Sequence, residues 1–117
     1  MTEVPSTLTR TPLHEAKAEL FKALGHPSRI RILECLVVRE RTVAELIDVV
    51  GIEASSLSQH LAVVKRTGMI ESRREGNTVT YRVVDESVDD FLRAARAVLA
   101  VTLARSGETL NQLRATP

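Results

Sequence analysis

The sequence predicts a mainly α fold with one small β-hairpin, of the winged helix-turn-helix type, and three observations predict it. Apolar residues recur at spacings of three and four in several runs, the period of helices buried along one face. A capping box opens a short helix, and a glycine turn and a further helical pattern follow it, which is the layout of a helix-turn-helix. Two runs rich in β-branched residues then flank Glu75-Gly76-Asn77, the composition of a hairpin whose tip needs positive φ.

The elements follow in order. From Leu13, the residues Ala16, Leu20, Phe21 and Leu24 trace a first helix, with Gly25 as its stop. Pro27 suits the first turn of a second helix, whose apolar residues Ile30, Ile32, Leu33, Leu36 and Val37 lead to the charged turn Arg39-Glu40-Arg41. In Thr42-Val-Ala-Glu45 the hydroxyl and the carboxylate can satisfy first-turn amides reciprocally, so a third helix runs from Val43 to about Val49 before Gly51 turns the chain. Leu57, Leu61 and Val64 carry a fourth helix to Thr67-Gly68. Met69–Arg74 and Thr78–Val84 form the hairpin, the wing. A last helix begins at Asp85, with Glu86, Asp89 and Asp90 near its positive N-terminal end. Its apolar stripe is Val88, Phe91, Leu92, Ala95, Val98, Leu99, Thr102 and Leu103.

A chain of 117 residues fits one compact domain, here expected over residues 12–106, with a flexible tail at 1–11 and a C-terminal extension at 107–117. Tyr81, Phe21 and Phe91 are the aromatic residues, so Leu, Ile, Val and Ala must build the core. The longest apolar run, Ala97–Ala104, is too short to span a bilayer, and the first residues lack an apolar stretch, so a cytoplasmic protein without a membrane partner is expected. The single cysteine, Cys35, excludes an internal disulfide and a multi-thiolate metal site within one chain. With no resolving thiol beside it, a buried inert role for Cys35 is preferred to redox sensing.

The net charge is only +1, but its distribution is uneven. Ala54–Arg82 holds five basic residues (Lys65, Arg66, Arg73, Arg74, Arg82) against two acidic ones, and the rest holds 11 basic and 13 acidic. All the excess positive charge therefore sits where phosphate would be met. At 100° per residue the fourth helix puts Leu57, Leu61 and Val64 on one side, and Ser55, Gln59, Ala62 and Arg66 on the other. Gln59 and Ser55 can address base edges in a major groove, while Lys65 and Arg66 can reach phosphate. No paired catalytic carboxylates, nucleophile triad or phosphate loop can be assembled, so an enzyme is not expected.

Four stretches in this order resemble the ArsR-type (ArsR/SmtB) winged-helix repressors: Ala23-Leu-Gly-His-Pro-Ser-Arg-Ile-Arg-Ile-Leu33, Ser55-Ser-Leu-Ser-Gln-His-Leu61, Thr67-Gly-Met-Ile70, and Arg73-Arg-Glu-Gly-Asn77 leading to Tyr81. The resemblance covers about residues 15–105. It implies a homodimer that reads an inverted-repeat operator in double-stranded DNA and leaves it when an inducer binds. By position it implies DNA contacts from Ser55, Ser56, Ser58, Gln59 and His60, and wing contacts from Arg73, Arg74 and Asn77. The chain also departs from the family. Ile47 and Val49 stand where many metal-sensing members carry a Cys-x-Cys pair, and no histidine follows His60 to join Asp89 or Asp90 in the other common metal site. Glu53 and Ala62 replace a frequent Ser cap and a frequent Lys. No metal and no cofactor are therefore expected, and the sequence names no inducer.

Among the histidines, His26 precedes a helix-starting proline and is expected to serve the turn. His60 lies at the edge of the fourth helix, between packing and phosphate, and His14 is expected at the surface. Two stripes, Leu20, Phe21 and Leu24 on the first helix and Leu92, Ala95, Val98, Leu99 and Leu103 on the last, exceed what a three-layer winged helix can cover internally. They are the expected dimer interface. A protein-docking module and an architectural DNA-binding protein are the rival readings.

Overall fold

The computed structural model describes residues 11–107, so the expected tail, apart from Thr11, and the expected extension, apart from Gly107, lie outside the described residues. The elements are α1 (Leu13–Ala23), α2 (Pro27–Val38), β1 (Arg41–Thr42), α3 (Val43–Val50), α4 (Ala54–Arg66), β2 (Ile70–Glu75), β3 (Thr78–Val83) and α5 (Ser87–Arg105). Contacts divide the chain into two compact units between Val84 and Asp85.

In the first unit, α2 is the central helix. Ile32, Leu33, Cys35 and Leu36 are buried along it, and it packs on α3, α4 and β3. Leu46 of α3, Leu57, Leu61 and Val64 of α4, and Ile70 of β2 complete an aliphatic core. Leu24, expected in an exposed dimer stripe, is only 6% exposed in the single chain and belongs to this core. The correction has a local cause: α1 ends at Ala23, and Leu24 caps it rather than continuing its outer face.

The capping box of α3 forms as its residue types require. Thr42 accepts from the Glu45 amide at 3.2 Å, and Glu45 accepts from the Thr42 amide at 3.0 Å. Together with Arg39, which donates to Glu45 at 2.8 Å, that amide holds the Glu45 carboxyl down to about 2. Gly51, at φ 74, ends the helix in the left-handed region that glycine enters freely. Thr42→Ala should lower stability by about 1 kcal/mol in chemical denaturation, whereas Thr42→Ser should be nearly silent.

The charged turn before α3 contains a strand that sequence reading did not anticipate. Arg41 and Thr42 pair with Tyr81 and Thr80, giving a three-stranded antiparallel sheet of order β1-β3-β2. The wing tip is also tighter than expected, because Glu75 pairs with Thr78 and leaves only Gly76-Asn77 between the strands. Gly76 takes φ 60 at the first of these two positions, where a II′ turn calls for glycine.

The second unit is described through α5. Its helix starts two residues later than expected, after a turn in which the Asp85 carboxylate accepts from the Ser87 amide at 2.9 Å. Val88 is buried, while Val98, Leu99 and Val101 are large apolar residues left exposed. Leu92 and Leu103 are half-buried and Ala95 is exposed. Among the described residues, no helix is long and apolar enough to cross a membrane.

Candidate nucleic-acid interface

With Leu57, Leu61 and Val64 turned into the core, the opposite side of α4 is fixed by helical geometry. Ser55, Ser58, Gln59, Ala62, Lys65 and Arg66 are exposed there, and Ser56 and His60 are half-buried. Glu53 precedes the helix without making a side-chain cap, which leaves first-turn amides at this end of α4 unsatisfied by the N-cap side chain.

The wing's register sorts its arginines. Ser72 lies opposite Tyr81, Arg73 opposite Thr80 and Arg74 opposite Val79, so successive side chains alternate between two faces. Lys65 donates to Ser72 Oγ at 2.7 Å, which marks the α4 side of the sheet. Arg74 shares that face with Ser72, is exposed, and makes no ion pair among the described residues. Arg73 emerges on the other face, where it donates to both Glu40 oxygens at 3.0 and 3.3 Å and through Nε to Glu75 at 2.6 Å. Arg73 hydrogen-bonds to Glu40 and lowers its carboxyl pKa, and the two carboxylates raise that of Arg73. Arg82 is likewise paired with Glu71 at 2.6 Å. Of the five basic residues in this region, Lys65, Arg66 and Arg74 are therefore the ones whose charge no carboxylate among the described residues offsets.

His60 is engaged within the fold. Its ring centroid is 4.3 Å from that of His26, and Arg29 Nη1 lies 3.3 Å from its Nδ1. A guanidinium can only donate, so that Nδ1 must accept. His26 Nδ1 in turn accepts from the Ser28 amide at 3.1 Å and caps α2, the structural role expected for it. Arg29 also donates from Nε to the Ala23 carbonyl. Desolvation, together with the neighbouring His26 and Arg29, lowers the His60 pKa. A base whose folded-state pKa is depressed stabilises the fold fully above its unfolded value, near 6.5, and loses that contribution as pH falls through the folded value. The urea midpoint should therefore drop between pH 6.5 and 5 more steeply in the parent than in His60→Gln, and parallel profiles would show that this histidine is not the source.

Asn77 sits exposed at the wing tip, His14 is exposed on α1, and Cys35 is buried at 4% exposure. Glu40 and Arg29 were missed in the sequence, because their partners lie 33 and 31 positions away and no local pattern announces them.

Helix, glycine turn, exposed polar helix and arginine-bearing hairpin together define a winged helix-turn-helix domain of the DNA-binding class. Residues 26–72 match the sequence model of the bacterial regulatory protein, arsR family. The uncharacterized HTH-type transcriptional regulator Rv0081 of Mycobacterium tuberculosis is 48% identical over 105 residues, covering 89% of this chain and 92% of its own. Its crystal structure matches with a TM-score of 0.76 over 82% of this chain and 97% of that one, at 47% identity. A probable mercury resistance operon repressor from Streptomyces lividans is 35% identical over 84% of this chain and 74% of its own. The homodimeric winged helix-turn-helix DNA-binding domain Mb0332 from Mycobacterium bovis, a possible ArsR-family regulator, matches at TM-score 0.72 and 28% identity, over 90% of this chain and 95% of that one. The chain belongs to the ArsR family: it is a transcriptional regulator, not an enzyme.

Proposed function

We propose that this regulator is a repressor that binds an inverted-repeat operator as a homodimer, reading bases with α4 and holding the backbone with the wing. One observation carries the reading. Exposed Ser55, Ser58 and Gln59 of α4, with Lys65 and Arg66 at its end and Arg74 on the α4-side face of the wing, three cations without an ion pair among the described residues, supply readout and charge in one unit. Base-edge contacts fall to Gln59, Ser55, Ser56 and Ser58, and phosphate contacts to Lys65, Arg66, Arg74 and the tip residue Asn77. Arg73 contributes less because Glu40 and Glu75 offset its charge, and His60, whose Nδ1 accepts from Arg29, can reach phosphate only through Nε2–H. The functional body is residues 12–106, and dimerisation uses Phe21 of α1 with Val98 and Leu99 of α5, all strongly exposed in the single chain.

The signal that releases DNA is something other than a metal at the two common family sites. Ile47 and Val49 offer no thiolate, no histidine follows His60, and the thiol of Cys35 is buried. Mercury belongs to the name of the Streptomyces relative, and a soft-metal site of that kind needs thiolates this chain does not have in number. Competition between the duplex recovered from genomic footprinting and a random duplex, at physiological salt, tests the reading. A specific protein should prefer its operator by roughly a thousandfold or more, whereas equal competition would mark an architectural binder and no binding a docking module.

A further inference from the structure

We propose that the cleft between α1, the start of α2 and the C-terminal half of α4 binds a small amphipathic organic anion, a carboxylate or sulfonate on an apolar body. By its occupancy this anion would weaken operator binding; this last step rests on the function proposed above.

The cleft has a volume of about 600 Å³, within the range of small-molecule sites. Ala16, Leu20, Ala23 and Val63 give it apolar walls, and Lys22, Arg29 and Arg66 set three cations against the single carboxylate of Glu19. Apolar walls lower the local dielectric and strengthen attraction to the excess positive charge, so an anion is favoured over a neutral or cationic molecule of the same shape. An inorganic anion would leave the apolar walls uncovered, which is why the body of the ligand must be hydrocarbon. Lys22 and Arg66 make no ion pair among the described residues, and neither does Glu19. Arg29 has its Nε on Ala23 and Nη1 toward His60, which leaves Nη2 as its remaining donor group.

The cleft and the proposed reading face share one rigid helix of 13 residues, α4, which lends Val63 and Arg66 to the first and Ser55 and Gln59 to the second. An anion seated there competes with phosphate for Arg66 and pulls on Arg29, the residue that holds His60 of the same helix. Linkage then requires that operator DNA weaken the anion by the same factor as the anion weakens operator DNA.

The probe is anilinonaphthalene sulfonate, compared with N-phenylnaphthylamine, the same aromatic body without the sulfonate, on the full chain. We expect saturable fluorescence at one site per protomer for the sulfonate and much weaker binding of the neutral compound. Octanoate should displace the probe and octylammonium should not. Lys22→Glu should weaken the sulfonate about tenfold or more, and Ala16→Trp, with its fold checked by circular dichroism, should remove the site. Saturating octanoate should reduce operator affinity several-fold, reciprocally with the probe. Equal binding of the neutral and anionic probes, or an unchanged Lys22→Glu, would overturn the proposal. So would loss of the probe as the protein is concentrated through its dimerisation range, which would mean that a second copy fills the cleft. Specific DNA binding without a Lys22-dependent probe site would refute the site alone. A Lys22-dependent site on a protein that binds no specific DNA would keep the site and refute its regulatory consequence together with the proposed function.

Discussion

Leu99→Asp is expected to sediment as a monomer at micromolar concentration while keeping its helical circular dichroism, and to lose operator affinity by about a hundredfold or more. Leu99 is 49% exposed in the single chain, with Val98 at 62% and Val101 at 59% beside it on α5. Large apolar residues left open in numbers mark an association surface, and in a family with homodimeric members the partner of first resort is a second copy. A carboxylate placed among these apolar residues must give up its water when the interface closes, which costs several kcal/mol, enough to dissociate a dimer of ordinary strength. Each protomer would then hold one half-site without the gain in effective concentration that a linked pair provides. A Leu99→Asp chain that remained dimeric and bound its operator normally would remove α5 from the interface.

The fold was largely legible because its signals are local. The Thr42–Glu45 box, the glycine after α3 and the Leu57, Leu61, Val64 spacing each specify their element within a few residues, and all three took the form their chemistry predicts. The unit order needed no long-range information either. What escaped depends on pairing between distant segments. Two residues, Arg41 and Thr42, carry no strand periodicity, and only the presence of β3 makes them β1. The exposure of Leu24 could not be read from spacing, since a stripe continues through a helix end in sequence but not in space. The candidate site divides the same way. That Gln59 faces outward follows from helix geometry, whereas the neutralisation of Arg73 by Glu40 and the capture of His60 by Arg29 follow from contacts across more than 30 positions.

Replacing Gln59, Arg74 and Arg73 by alanine one at a time should separate three roles within the same interface. Gln59 is exposed on the α4 side opposite the buried Leu57, Leu61 and Val64, where a side-chain amide can donate to and accept from one base edge. Gln59→Ala should cost on the order of 1 to 3 kcal/mol on the operator and leave binding to random duplex nearly unchanged. Arg74 meets any phosphate equally well, so Arg74→Ala should weaken specific and random binding alike and lower the slope of log affinity against log salt by roughly 0.9 per protomer. Arg73 already satisfies two carboxylates, and drawing it to phosphate would strand Glu40 and Glu75 beside the DNA backbone. Arg73→Ala should therefore leave the salt slope almost unaltered and change stability little, as the loss of exposed ion pairs does. A full unit of slope lost from Arg73→Ala, with none from Arg74→Ala, would mean that the two faces of the wing are reversed on DNA. Equal proportional losses on specific and random duplex from Gln59→Ala would mean that α4 lies on the backbone without reading bases, and the architectural reading would then replace the repressor.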